Sequence, residues 1–270
     1  MKVLFIGDIF GKPGRNLVSS HLPSIRNKFD FVIANAENAA GGFGLNKDAF
    51  SSIMRAGVDC VTLGNHAWDN REVLSLIDDP RIVRPKNYPS GAPGRGAASF
   101  DVNNERITVT NLLGRIYMNP MDDPFAALET ILEEDNLGAV FVDFHAEATS
   151  EKACFAWHFD GRIAALVGTH THVPTADTRF LTAGTAFQTD SGMTGPRDSS
   201  IGMGLDAAIY RFRTGLPQKN EVAAGKCIFN AVELDITNNV VTRMARYSFT
   251  EGDEVGKLEG EIFSEVANAN

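Results

Sequence analysis

Val3-Leu4-Phe5-Ile6-Gly7-Asp8 is a short, continuously apolar run closed by a glycine and a carboxylate. Such a run suits a strand buried on both faces and followed at once by a loop. The pattern recurs: Phe31-Val32-Ile33-Ala34 ends at Asn35-Ala36-Glu37-Asn38, and Cys60-Val61-Thr62-Leu63 ends at Gly64-Asn65-His66. After the first run, Val18, Leu22, Ile25 and Phe29 recur at +4, +3 and +4, the spacing of an amphipathic helix, and Pro13 suits its start. Lys47 to Ala56 reads as a helix stopped by Gly57, and Arg71 to Ile77 as a short one. Strand, loop and helix thus alternate three times before residue 80, which predicts a βαβ-type α/β fold. Ligands of such folds bind at the carboxyl ends of the strands, where these polar loops lie.

Farther along, Arg81 to Arg95 is rich in Pro, Gly and Arg and reads as a long connection. Asn103-Asn104 and Asn238-Asn239 each separate two apolar runs, as hairpin turns do. Helices are predicted from Asp123-Pro124 to about Glu134 and from Glu151 to His158. Two more apolar strands end in histidine, Ala139 to Phe144 at His145, and Ala164 to Val167 at Gly168-Thr169-His170-Thr171-His172. The glycine-rich stretch Ala183 to Asp206 reads as a long loop, and long loops often serve as lids, here around Met193. The segment after Thr250 reads as an acidic, mobile tail. With no repeat or composition break, residues 1–270 read as a single domain.

The bulk numbers narrow the function. Of 270 residues, 43% are hydrophobic and 22% charged, ordinary for a globular protein with a sizeable core. The net charge of −9 argues against a stable nucleic-acid complex, while a small anionic substrate is compatible if metal ions supply positive charge. Cys60, Cys154 and Cys227 stand far apart, so neither a zinc ribbon nor a disulfide framework is suggested, and a reducing compartment fits. The apolar start, Met1 to Ile6, is too short for a signal peptide, and no run approaches a membrane span. The expectation is a cytoplasmic protein without a membrane partner; a homo-oligomer is expected on general grounds.

Eight polar residues sit at five strand ends: Asp8; Glu37 and Asn38; Asn65 and His66; His145; His170 and His172. Parallel strands bring their ends to one rim, so these groups can meet. Carboxylate, carboxamide and imidazole form a mixed O/N donor set, which suits Mn, Fe, Zn or similar divalent ions. Seven of the eight exceed one ion's needs and suit two, with a carboxylate bridging. Two metals stabilise both the attacking and the leaving oxygen of an in-line displacement, and a water between them loses its proton near neutral pH to become the nucleophile.

Gly7-Asp8, Gly64-Asn65-His66 and Gly168-Thr169-His170-Thr171-His172 resemble the motif blocks of calcineurin-like metallophosphoesterases. Asn35 to Ala39, Asp143 to Ser150 and Asp190 to Pro196 resemble signatures of a bacterial subgroup, the YmdB-like phosphodiesterases. The likeness runs over nearly the whole chain and fades after about Phe249. It implies an αββα sandwich of two mixed sheets flanked by helices. It also implies roles: Asp8, Asn38 and His172 on the first metal, Glu37 bridging, Asn65, His145 and His170 on the second, and His66 as the acid that protonates the leaving oxygen. The chain departs from the broad superfamily twice. The usual Asp-x-His becomes Asp8-Ile9-Phe10, and the usual bridging Asp becomes Glu37. Asn38 could replace the lost ligand; the subgroup suggests two iron ions, with manganese a competent substitute.

The chemistry can be argued separately. A phosphodiester repels a nucleophile, and cations neutralise that charge. The leaving alkoxide needs a proton, which imidazole can give at neutral pH. Asp69 suits either of two roles, orienting His66 or capping a helix at Asn70-Arg71-Glu72. His21 and His158 lie in helical patterns and read as structural; Arg15 and Arg115 are weak substrate-contact candidates. Thr149 and Ser150 read as a helix cap before Glu151, and Trp68 as a packing residue near enough to His66 to line a pocket. The expected function is hydrolysis of small phosphodiesters, cyclic nucleotides (2′,3′ or 3′,5′) above all. The alternatives are a phosphomonoesterase, or a regulatory RNA- or partner-binding protein with structural metals.

Overall fold

The structure, a computed structural model, describes residues 1–264. In chain order, β1 (Lys2–Ile6) and β2 (Asp8–Ile9) lead into α1 (Gly11–Ile25), then β3 (Phe31–Asn35), α2 (Lys47–Ala56), β4 (Cys60–Thr62) and β5 (Ile82–Val83). Next come β6 (Ala97–Val102), β7 (Glu105–Leu113), α3 (Pro124–Leu132), β8 (Ala139–His145), α4 (Thr149–His158) and β9 (Ala165–Thr169). The rest is β10 (Arg179–Phe180), β11 (Ala186–Gln188), β12 (Met193–Pro196), α5 (Leu205–Thr214), β13 (Cys227–Thr237), β14 (Val240–Thr250) and β15 (Lys257–Phe263).

Among the described residues these strands form two mixed sheets. One runs β15-β14-β13-β1-β3-β4-β5, with β12 and β2 attached beside β13; the other runs β10-β11-β9-β8-β7-β6. Strand alternation explains the layers. In β1, Val3 and Phe5 pack between the sheets against Phe141 and Val167, while Leu4 and Ile6 face the opposite way, with Val18 of α1 and Ile53 of α2. In β8, Ala139 and Phe141 point between the sheets, while Val140, Val142 and Phe144 join Leu128 of α3 and Phe155 of α4. Each fully buried Val, Leu, Ile or Phe side chain contributes about 1.5–3 kcal/mol. A one-residue slip would exchange every such face, so the register is strongly fixed. This is the expected αββα sandwich.

Strands β1, β3, β4 and β5 are parallel, as are β7, β8, β9 and β11. Their carboxyl ends share one rim, where buried Asp143 of β8 ties the sheets together. Its Oδ2 accepts from Asn35 Nδ2 at 2.9 Å and Thr62 Oγ1 at 2.5 Å, and its Oδ1 from Thr169 Oγ1 at 2.6 Å. Burial pushes the Asp143 carboxyl up to about 6, even though these donors and the His145 charge pull it down. Both hairpins turn at Asn-Asn as read, with φ of 51° and 66° at Asn103 and Asn104 and 52° and 66° at Asn238 and Asn239. Asparagine tolerates that left-handed backbone and so suits a two-residue turn.

Three readings need correction. The stretch from Ala183 to Asp206 is not one long loop. Its β11 extends the second sheet beside β9, and β12 pairs parallel with β2, setting buried Met193 opposite Asp8. Strands of two to four residues are too short to show a period. Met193 is therefore no lid. The segment after Thr250 is not a loose tail through its described part, because β15 pairs antiparallel with β14. Its acidic residues are partners rather than solvating charge: Glu261 meets Arg243, and Glu259 lies 3.3 Å from Arg246. Residues 265–270 fall outside the described part. Finally, α4 starts at Thr149 with Ala148 in the capping position and no side-chain cap. Glu151 instead accepts from the backbone N–H groups of Arg115 and Ile116. Helix α5 was not read from the sequence, and none of its residues is buried. No described helix is long and apolar enough to cross a membrane.

Candidate metal centre

All eight strand-end residues meet at the rim. His145, the last residue of β8, is buried at its middle. Thr169 Oγ1 gives its proton to Asp143, so at 2.8 Å it accepts from His145 Nδ1–H. That leaves His145 Nε2 facing inward, 3.0 Å from Glu37 Oε1, 2.9 Å from Asn65 Oδ1 and 3.0 Å from His170 Nδ1. His170 has its other nitrogen, Nε2, 3.2 Å from Glu147 Oε2, so Nδ1 also presents a lone pair. Four electron-rich atoms thus crowd together. A proton on His145 bonds one neighbour, whereas a cation satisfies all four atoms. Burial alone would raise Glu37, but the charge and hydrogen bond of His145 and the His66 N–H take it down to about 2. Burial alone would lower His145, but Glu37 holds it up at about 9. Burial and the His145 charge push His170 down to about 3.

A second group lies beside the first. Asn38 donates from Nδ2 to the Gly42 carbonyl at 3.1 Å, which turns Oδ1 toward His172 Nε2 at 3.2 Å. His172 donates from Nδ1 to the Ile201 carbonyl at 2.8 Å, so its Nε2 is a lone pair as well. Asp8 Oδ1 lies 3.8 Å from that nitrogen, is buried and has no hydrogen-bond partner. Burial raises the Asp8 carboxyl, with His172 and His145 pulling the other way. An orphaned buried carboxylate oxygen facing unprotonated nitrogen and amide oxygen fits a cation-binding group. The donor set contains no thiolate and suits divalent ions that accept imidazole, carboxylate and carbonyl oxygen. Each histidine of both groups has its outer nitrogen bound to a hydroxyl, carboxylate or carbonyl, the usual way a protein aims an imidazole at a metal.

The backbone is shaped for this purpose. His170 and His172 take φ of 99° and 66°, conformations that histidine rarely adopts and that cost about 1–3 kcal/mol each. The Gly168–His172 loop is braced from below by buried Lys152, whose Nζ donates to Thr169 O at 2.8 Å and Asp190 Oδ2 at 2.9 Å. The same carboxylate oxygen accepts from Thr171 N at 3.1 Å. At Gly64 a Cβ would lie 2.2 Å from Glu37 Oε2, so only glycine lets that carboxylate sit against the loop.

His66 stands at the edge of the donor groups. Its N–H donates to Glu37 Oε2 at 2.9 Å, and its Nδ1 lies 2.8 Å from Asp69 Oδ2, which leaves Nε2 as the ring nitrogen that Asp69 does not engage. Of the two readings of Asp69, the orienting one holds; the cap before Arg71–Ser75 is Asn70, accepting from Glu72 N at 3.0 Å. A cleft of about 350 Å³ opens over the centre, lined by the polar Glu37, Asn38, His66, His170 and His172 and by the apolar Phe10, Phe43, Ile201 and Met203. Neither Arg15, paired with Asp48, nor Arg115 lines it. His21 stacks on Phe249 with Nε2 2.8 Å from Tyr247 Oη, and His158 packs edge-on against Phe125; both are structural. Trp68 packs against Tyr88 and does not line the cleft.

The family model for the YmdB-like protein matches residues 4–246. A Bacillus subtilis protein named 2′,3′-cyclic-nucleotide 2′-phosphodiesterase is 46% identical over 241 residues, spanning 87% of this chain and 91% of that one. The crystal structure of a hypothetical protein from Thermus thermophilus has a TM-score of 0.91 and 48% identity, covering 93% of this chain and 100% of that one. The crystal structure of a phosphatase from Mycoplasma pneumoniae has a TM-score of 0.88 and 36% identity, covering 94% and 95%.

Proposed function

The chain belongs to the YmdB-like family, and on that premise we propose that it is a phosphoesterase that uses two divalent cations to open small cyclic phosphodiesters, 2′,3′-cyclic nucleotides first. The observation that carries this reading is the convergence of seven donors beside His66, among them a buried Asp8 carboxylate oxygen with no hydrogen-bond partner. Asn65, His145 and His170 would hold one cation, Asp8, Asn38 and His172 the other, and Glu37 would span both. When bound, the cations supply charge neutralisation at phosphorus and acidify the attacking water. Iron is the proposed native metal and manganese its substitute, which the N/O donor set accommodates.

The chain's own residues would do the rest. The anionic diester would enter the cleft of about 350 Å³ that the donors and the apolar residues line together. As water adds to phosphorus, the P–O2′ bond breaks, and His66 Nε2–H gives its proton to O2′. Asp69 holds the opposite ring nitrogen of His66 at 2.8 Å, so Nε2 is aimed at the leaving oxygen and the imidazolium is supported. The product is a nucleoside 3′-monophosphate. Support for the 2′,3′ class comes from the name of the Bacillus subtilis relative. Phosphomonoesterase activity is the second reading, supported by the name of the Mycoplasma relative.

The test is hydrolysis of 2′,3′-cyclic AMP by protein reconstituted with Mn²⁺ or Fe²⁺ and shown to hold metal. Release of 3′-AMP is expected. Metal-loaded protein that leaves the cyclic diester intact while cleaving 3′-AMP would establish the monoesterase instead.

A further inference from the structure

We propose that Phe43, Met203, Ile201 and Phe10 form a nucleobase shelf, a subsite that seats the substrate's heteroaromatic base beside its phosphodiester; the inference rests on the phosphodiesterase reading above. These four side chains line the same cleft as the proposed metal donors and adjoin them. None carries a hydrogen-bonding group. Phe43 is 42% exposed and Ile201 51% exposed, large apolar surface that faces solvent at the mouth of a polar centre. Hydrophobic patches rimmed by polar groups mark binding sites.

The shelf is built onto the catalytic machinery. Phe43 meets His66 edge-on with ring centroids 4.9 Å apart, and Phe10 meets His172 edge-on at 5.4 Å. The Ile201 carbonyl holds His172 Nδ1. A Cβ on Gly42 would lie 3.0 Å from Met203 Cε and 3.2 Å from Phe10 Cζ, and one on Gly202 would lie 2.5 Å from Phe10 Cδ1. Both glycines have φ near 100°, at 98° and 105°. The 41–44 and 201–203 segments can therefore close over Phe10 only because glycine occupies both positions. Phe10 is only 3% exposed and supports the two glycine segments from beneath, while Phe43 and Ile201 present the accessible apolar surface.

With phosphorus at the donors and the leaving oxygen at His66, the ribose would lie beside His66, whose ring meets Phe43 edge-on, so the base is proposed to fall on the adjoining apolar lining. Base–aromatic stacking contributes roughly 5- to 150-fold in affinity and is shared by every base. The shelf should therefore prefer a base over no base, and discriminate little among bases.

The experiment compares kcat/KM for 2′,3′-cyclic AMP with that for 1,2-cyclic glycerol phosphate, the same five-membered cyclic diester without a base, on Mn²⁺-loaded enzyme. The expected preference is at least fivefold for the nucleotide. Phe43→Ala and Met203→Ala should each shrink the ratio, chiefly through KM, and Phe43→Trp should restore it. A second readout needs no metal: calorimetric binding of 3′-AMP to metal-stripped protein should weaken at least fivefold in Phe43→Ala. Equal kcat/KM for the two diesters in the wild type, or an unchanged ratio in Phe43→Ala, overturns the shelf. Failure to cleave either diester overturns the phosphodiesterase reading, and the 3′-AMP titration then decides the shelf by itself.

Discussion

Around His145 the donor atoms crowd, with three partners of Nε2 at 2.9–3.0 Å. Around Asp8 they stand apart, with His172 Nε2 3.8 Å from Asp8 Oδ1 and 3.2 Å from Asn38 Oδ1. The cause lies in what carries each group. His145 ends β8, His170 follows directly on β9, and both are braced by Asp143, Thr169 and Lys152. Asn38 and His172 are instead held by loop carbonyls, at Gly42 and Ile201. The strand-borne half is preassembled, and pays little to receive a cation. The loop-borne half shares its support with the apolar wall of the cleft, so its cation should exchange faster and respond to what occupies the cleft. Glu37 and Asn38, adjacent in one turn, send one donor into each half.

The largest expected effect comes from breaking the link between the halves. Glu37→Gln removes the negative charge proposed to span both, so elemental analysis should find both metals lost and phosphodiester hydrolysis abolished. Retention of both ions would contradict the spanning role. Next, His66→Gln should lower kcat by about 10²–10⁴-fold while leaving metal content intact. A parallel loss of metal would move His66 from the proton step into the ligand set. Lys152→Met leaves the Asp190 carboxylate buried without its cation, which should cost about 3–5 kcal/mol in a denaturant titration and loosen both His170 and His172. The smallest effect belongs to Glu259→Ala on β15, an exposed partner of Arg246. It should change stability by about 1 kcal/mol or less and leave both metals in place. A larger change would show that β15 supports the rim.

The donor set was legible because it lies in strand-end blocks, where short, continuously apolar runs announce the strand and polar residues follow immediately. Gly64 and the His-Thr-His loop are legible in the same way. Much of the supporting layer was not. Glu147 lies inside a block read for its histidine, two residues after His145, yet only the fold brings it to His170 Nε2. A search for the carboxylate or carbonyl that each ligating histidine needs would have raised Glu147 as a candidate. The Ile201 carbonyl could not be found so, since any residue supplies a carbonyl. Lys152 is a charged residue in an unremarkable setting, and Asp190, though it opens a signature block, shows no partner in the sequence; their buried pairing arises only in the fold. Phe43 stands alone among glycines, where no period marks it, and the two roles open to Asp69 were separated only by side-chain direction, which puts Asp69 on His66 and Asn70 at the cap.

The central claim is that the two histidines of one short loop serve different cations. Metal counting on His170→Ala and His172→Ala tests it directly, by elemental analysis of anaerobically purified protein alongside the wild type. The wild type should hold two ions per chain and each variant about one, with the ion left in His172→Ala the slower to leave under chelator. Equal occupancy in all three proteins, or loss of both ions from either variant, would contradict the division.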